Sequence, residues 1–112
     1  MNTIALAELA HARSGDKGNR ANIGVVAFDN ESYAWLETHL TADVVAGYLQ
    51  TIGIGKVVRY ELPNIHAFNF VIDNALAGGA SRSLRLDTQG KALASALLEL
   101  RLPIPPIREL TP

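Results

Sequence analysis

The chain has 112 residues, 48% of them apolar and 19% charged, with 10 Lys and Arg against 11 Asp and Glu and a pI near 6.3. These totals fit one globular domain over residues 1–112 rather than a disordered chain, and they lack the basic excess of a nucleic-acid binder. With no cysteine there is no disulfide, thiolate metal site or Cys nucleophile, and with neither a secretory signal nor an apolar run near 18 residues the expectation is a cytoplasmic protein off the membrane.

Residues 3–12 read as a first strand, with Ile4 and Leu6 on one side and Leu9 on the other; the many alanines leave helix as the alternative, and the loop residues Ser14-Gly15 that follow favour strand. The segment Arg13-Ser14-Gly15-Asp16-Lys17-Gly18-Asn19-Arg20-Ala21-Asn22 follows as a polar connector. It is longer and richer in donors, acceptors and charge than the two to five residues a hairpin turn requires. Ile23 to Phe28 is short, continuous and β-branched, which suits a strand buried on both faces. Asp29 to Ser32 supplies capping side chains for a helix over Tyr33 to Leu40, and Thr41 starts a second helix. In that second helix Val44, Val45, Tyr48, Leu49 and Ile52 form an apolar stripe ended by Gly53 and Gly55.

Lys56 to Leu62 alternates, with Val58, Tyr60 and Leu62 opposite Arg59 and Glu61, and Pro63-Asn64 stops it. Ala67 to Ile72 alternates Phe68, Phe70 and Ile72 against Asn69. A second glycine-rich connector covers residues 74–83, and Leu84 to Leu86 is a candidate short strand. Asp87 or Thr88 caps a last helix carrying Ala92, Leu93, Ala96, Leu97 and Leu100. Pro103, Pro105 and Pro106 then hold the tail extended over its own domain, where Ile104 and Ile107 are alternative docking residues. This order predicts an α+β sandwich of ferredoxin-like type, with a mainly antiparallel sheet and helices on one face.

Two strings carry a resemblance. Ser14-Gly15-Asp16-Lys17-Gly18-Asn19 with Ala21-Asn22-Ile23-Gly24 is one, and Asn69-Phe70-Val71-Ile72 followed by residues 75–91 is the other. Together they resemble the AtuA-like ferredoxin-fold domain, which occurs at the C-terminus of acyclic terpene utilisation AtuA proteins and as a small stand-alone protein. The resemblance implies a ferredoxin-like fold, a setting in the catabolism of acyclic terpenes or branched acyl compounds, and a larger AtuA-type partner. Two positions depart from the family pattern. Asn19-Arg20 stands where many relatives carry an acidic residue, and Ala77 where glycine is common.

Site candidates cluster in the two connectors. Gly15 and Gly18 lead into a strand rather than a helix, so the first connector is no phosphate-binding P-loop, although glycine turns near Arg13 and Lys17 can cradle an anion. The candidate ligand or partner residues are Arg13, Ser14, Gly15, Asp16, Lys17, Gly18, Asn19, Asn22, Asn69, Gly78, Gly79, Ser81, Arg82 and Ser83. The competing reading is a plain turn in which Asp16 pairs with Lys17 and the asparagines bond the backbone. Arg82 can place its planar fork on Asp16 or on a bound carboxylate or phosphate, which would make the two connectors one surface.

Two functions remain open at this point. One is an accessory module that assembles with an AtuA-type larger protein or with itself. The other is part of an enzyme site, in which Asp16, Lys17, Asn19, Asn22, Ser81 and Arg82 hold the anionic group of an acyl-CoA, carboxylate or phosphate substrate and Asp16 or Lys17 moves a proton. The serines have no base that sequence places beside them, and His11, His39 and His66 are scattered. No cofactor and no metal site are expected. Trp35, Tyr48 and Tyr60 form no stacking platform for nucleic acid.

Overall fold

The first apolar run does not form one strand. In the computed structural model, which describes residues 2–17, 20–50, 56–73 and 91–106, a 3₁₀ turn at Leu6–Glu8 divides it into β1 (Thr3–Ala5) and β2 (Ala10–Lys17). The division lets Leu6 and Leu9, which strict alternation would place on opposite faces, both be fully buried. The Leu6 N–H bonds the Leu100 carbonyl at 2.9 Å, so this turn also ties the chain start to its end.

β2 then runs through the residues expected as a connector. It pairs antiparallel with β3 (Arg20–Ala27) from Ala10↔Ala27 to Lys17↔Arg20, so only two residues separate the strands. Cross-strand pairing has overridden the turn-forming tendency of Ser14, Gly15 and Asp16. Next come α1 (Asn30–His39) and α2 (Ala42–Leu49). The Asp29 carboxylate caps α1 by accepting from the Ser32 N–H at 2.7 Å, and the Thr41 hydroxyl caps α2 by accepting from Val44 N–H at 3.1 Å. Gly53 and Gly55, expected to end the second helix, lie outside the described residues.

β4 (Val57–Leu62) and β5 (Ala67–Asp73) form a hairpin across a 3₁₀ turn at Pro63–Ile65. His66 closes it in the left-handed conformation, φ 55°, and its carbonyl accepts from the Ala27 N–H at 2.8 Å. After residues 74–90, which fall outside the description together with the expected strand Leu84 to Leu86, α3 (Lys91–Leu98) leads to β6 (Arg101–Pro103). β6 pairs with β1 in a separate two-stranded ribbon.

The main sheet has the order β2-β3-β5-β4, antiparallel throughout. β3, the two helices and β4 make a split β-α-β unit with β5 between its strands, which is the ferredoxin-like element expected. Alternate residues of the central strands (Ala21, Ile23, Val25 and Ala27 on β3; Phe68, Phe70 and Ile72 on β5) are buried in one core with Leu36 and Leu40, with Val45 and Leu49 of α2, and with Leu93 and Leu97 of α3. Tyr48 of α2 donates its hydroxyl to the Ala96 carbonyl of α3 at 2.8 Å. Trp35 of α1 donates to the Pro103 carbonyl at 2.8 Å, and Leu102 is buried, so the tail packs on its own domain as far as it is described.

Candidate functional site

The strand registers define four cross-strand rows on the sheet face opposite the helices. From one end to the other they read His11–Val26–Ala67–Leu62, Arg13–Gly24–Asn69–Tyr60, Gly15–Asn22–Val71–Val58 and Lys17–Arg20–Asp73–Lys56. Apart from His11 the first row is apolar, and the last is charged. Pairing therefore brings Arg13, Gly15, Asn22 and Asn69, four of the residues expected to form a site, onto one face although they are up to 56 positions apart in the chain.

The polar half of this face is held by two side-chain contacts. Asn22 donates from Nδ2 to Asn69 Oδ1 at 3.0 Å, joining the central strands. Asn22 thus bonds a side chain across the sheet rather than the turn backbone. Arg20 pairs with Asp73 at 2.9 Å, and with side chains 66% and 43% exposed that pair orients the strand ends more than it stabilises them. Arg13 makes no hydrogen bond or ion pair among the described residues. A hollow of about 510 Å³ lies beside it, lined by His11, Ala12, Arg13, Gly24 and Val26.

Ser14 is separated from that group. Strand alternation turns it to the helix side, where it lines a second hollow of about 410 Å³ with Ala12, Arg13, Ala94, Ser95 and Leu98. The same alternation sets His11 and Ser14 on opposite faces, which removes the nearest His–Ser combination as a nucleophile and base. His11 meets Phe28 edge-on at 4.7 Å, His39 lies against Trp35 at 4.2 Å and His66 against Tyr33 at 5.6 Å, so each histidine rests on an aromatic ring. Asp16 registers opposite Ala21 and Lys17 opposite Arg20. Gly18, Asn19, Gly78, Gly79, Ser81, Arg82 and Ser83 lie outside the described residues, and so does the expected meeting of the two connectors. Among the described residues no three His, Asp or Glu side chains converge where a metal could be held, and no helix is long and apolar enough to cross a membrane.

Sequence reasoning overlooked the apolar end of the face. The run Ile23 to Phe28 is buried on one side only, and Val26 and Phe28 are 41% and 47% exposed. The alternation of β4 is also inverted relative to ordinary amphipathicity. Tyr60 and Leu62 stand on the open face, while Arg59 turns to the helix side and donates to the carbonyls of Glu37 and Leu40. Leu62 and Ile65 complete the apolar end at 44% and 61% exposure. The one signal available beforehand was Gly24, a glycine in the middle of an otherwise β-branched strand.

No curated protein and no solved structure gives a significant match to the chain. The family model of the AtuA ferredoxin-like domain matches residues 4–103, a span that holds both the open face and the helices behind it. A match of that extent, on a chain with the split β-α-β sheet just described, assigns the family: the protein belongs to the AtuA ferredoxin-like domain family.

Proposed function

We propose that the chain is an assembly module that docks the apolar end of its open sheet face on a larger AtuA-type protein, in the cytoplasmic breakdown of acyclic terpenes or branched acyl compounds. The observation that carries this reading is the grouping of Val26, Phe28, Leu62 and Ile65, all 41% exposed or more, at one end of a sheet whose other face is packed by helices. Scattered exposed apolar residues are ordinary, whereas a contiguous group rimmed by polar residues marks an interaction surface. The family supports the choice of partner, since this domain also occurs fused to the larger protein, where such a surface would be covered within one chain.

The test is co-purification. Tagged chain expressed in a cell that makes an AtuA-type protein is expected to elute with it, and the Val26→Asp, Leu62→Asp double variant is expected to elute alone with an unchanged circular dichroism melt. Both changes fall on exposed positions, so they place charge in the contact without burying it in the core. A wild-type chain that ignores the larger protein and runs as a monomer, or a double variant that still recovers the partner, defeats the reading. A stable homodimer abolished by the same double variant would transfer the surface to self-association.

A further inference from the structure

Gly24 occupies the centre of β3, an inner strand of the sheet, where glycine weakens a strand relative to a residue with a side chain. Glycine in a strand interior serves a bulge, a sharp bend or a left-handed backbone, or leaves room for something that comes close. The register is continuous through Gly24 on both sides, Arg13↔Gly24 and Gly24↔Asn69, so there is no bulge. Its φ is not in the left-handed range, and a Cβ built there meets nothing closer than the Arg13 carbonyl oxygen at 3.9 Å, an ordinary contact. No feature of the described chain calls for glycine. What it leaves is a bare patch of backbone flooring the 510 Å³ hollow, a volume within the roughly 300–1,000 Å³ range of small-molecule sites.

The chemistry around that floor is one-sided. Of the described arginines, Arg20 bonds Asp73, Arg59 bonds Glu61 and two carbonyls, and Arg101 bonds Thr3, while Arg13 alone has no partner among the described residues. Across Gly24, about 10 Å away by two strand spacings, Asn69 uses its Oδ1 to accept from Asn22 and keeps its amide N–H groups as donors. Toward the other end Val26 and Phe28 are exposed and apolar. One guanidinium fork without a described partner matches one planar carboxylate, and a phosphate dianion would call for more positive charge than the described lining supplies.

We infer that the hollow over Gly24 binds a monocarboxylate with an apolar body, its carboxylate on the Arg13 guanidinium and its body lying across Gly24 toward Val26. The residues named for it all belong to this chain, and the inference does not rest on docking of a larger protein.

The experiment is a titration of the isotope-labelled full chain with sodium octanoate, followed through its backbone amide resonances, with 1-octanol as the uncharged control. Octanoate is expected to shift the amides of Arg13, Gly24 and Asn69 saturably, and octanol to bind at least about tenfold more weakly. Arg13→Gln is expected to bring octanoate down to the octanol level, and Gly24→Val to weaken both by filling the floor. Where Gly24→Val loses spectral dispersion, Gly24→Ala replaces it, since its Cβ clears every neighbour among the described residues. No saturation by roughly 10 mM octanoate, equal binding of octanoate and octanol, or unchanged octanoate affinity in either variant overturns the inference. A chain that binds octanoate yet co-purifies with no larger protein keeps this site and loses the docking function, and the reverse result separates the two in the other direction.

Discussion

Arg59 offers the sharpest test of how the fold is held. It lies on the helix side of β4, with its side chain only 15% exposed. Its guanidinium donates to the carbonyls of Leu40 at 2.8 Å and Glu37 at 3.0 Å at the C-terminal end of α1, and to Glu61 Oε2 at 2.7 Å, and it sits 5.0 Å from the centre of the Phe68 ring. A cation at a helix C-terminus also meets the negative end of the helix dipole. The charge-assisted bond to the exposed Glu37 carbonyl is assigned about 1 kcal/mol, and the part-buried one to the Leu40 carbonyl about 1.5 kcal/mol, the lower end of the ordinary range. The ring contact adds about 1 kcal/mol. The Glu61 pair adds little, since that carboxylate is 41% exposed. Neighbouring contributions overlap, so Arg59→Ala is expected to cost about 2–3 kcal/mol, which at this chain length lowers Tm by roughly 10 °C. Arg59→Met keeps an apolar stem on Phe68 and loses the carbonyl bonds, and it is expected to fall between. Urea unfolding followed by circular dichroism measures both. A loss below about 0.5 kcal/mol for Arg59→Ala, with the denaturant slope unchanged, would refute the assignment of Arg59 as the clamp between α1 and the sheet.

Tyr33 is the counterpart. It stacks on Phe68 at 4.7 Å, and its hydroxyl is buried without a hydrogen-bond partner among the described residues. Tyr33→Phe is therefore expected to be neutral or to stabilise by about 1 kcal/mol in the same urea experiment. Burial first, then the charges of Glu61 and Glu37, raise the Tyr33 pKa above its ordinary value of 10.0, with Arg59 opposing them. A phenol whose folded pKa is raised contributes stability that is whole below the ordinary value and lost as pH climbs through the raised one. The wild type should lose stability above about pH 10, and Tyr33→Phe should lose less over that interval. At the start of α2, Thr41→Ala removes the bond to the Val44 N–H and should cost about 1 kcal/mol, a change that thermal melting resolves.

Local chemistry made the helices and the inner hairpin strand legible. Asp29 and Thr41 are capping residues by type and cap in fact, and the strict alternation of Phe68, Phe70 and Ile72 sends all three into the core. The stretch Arg13 to Lys17 was not legible as strand, because Ser, Gly and Asp favour turns and only the partner β3 reverses that preference. Alternation in β4 revealed two faces without telling which is inward. The answer depends on α1, whose terminal carbonyls and the Phe68 ring draw Arg59 inside and leave Tyr60 and Leu62 outside. The short apolar run of β3 had the same ambiguity, and Val26 and Phe28 fell on the uncovered side. Of the site itself, Arg13, Gly15, Asn22 and Asn69 stood out by residue type, but Gly24 acquired meaning only when the register placed it between Arg13 and Asn69.

That placement follows from one topological choice. In a βαββαβ ferredoxin arrangement the last strand closes the sheet beside the first. Here β2 takes that place beside β3, and β6 is left to pair with β1. Had β6 taken it, tail residues would border Gly24, and the only described arginine there would be Arg101, which is already bonded to Thr3. With β2 in the position, an arginine without a partner among the described residues stands at the rim of a bare backbone floor, and the amide pair Asn22–Asn69 stands beside it. The N-terminal strand therefore does more than fill a place in the sheet: it supplies the charged group beside Gly24, and with it a polarity at that part of the open face, anionic ligand toward Arg13 and apolar contact toward Val26 and Leu62.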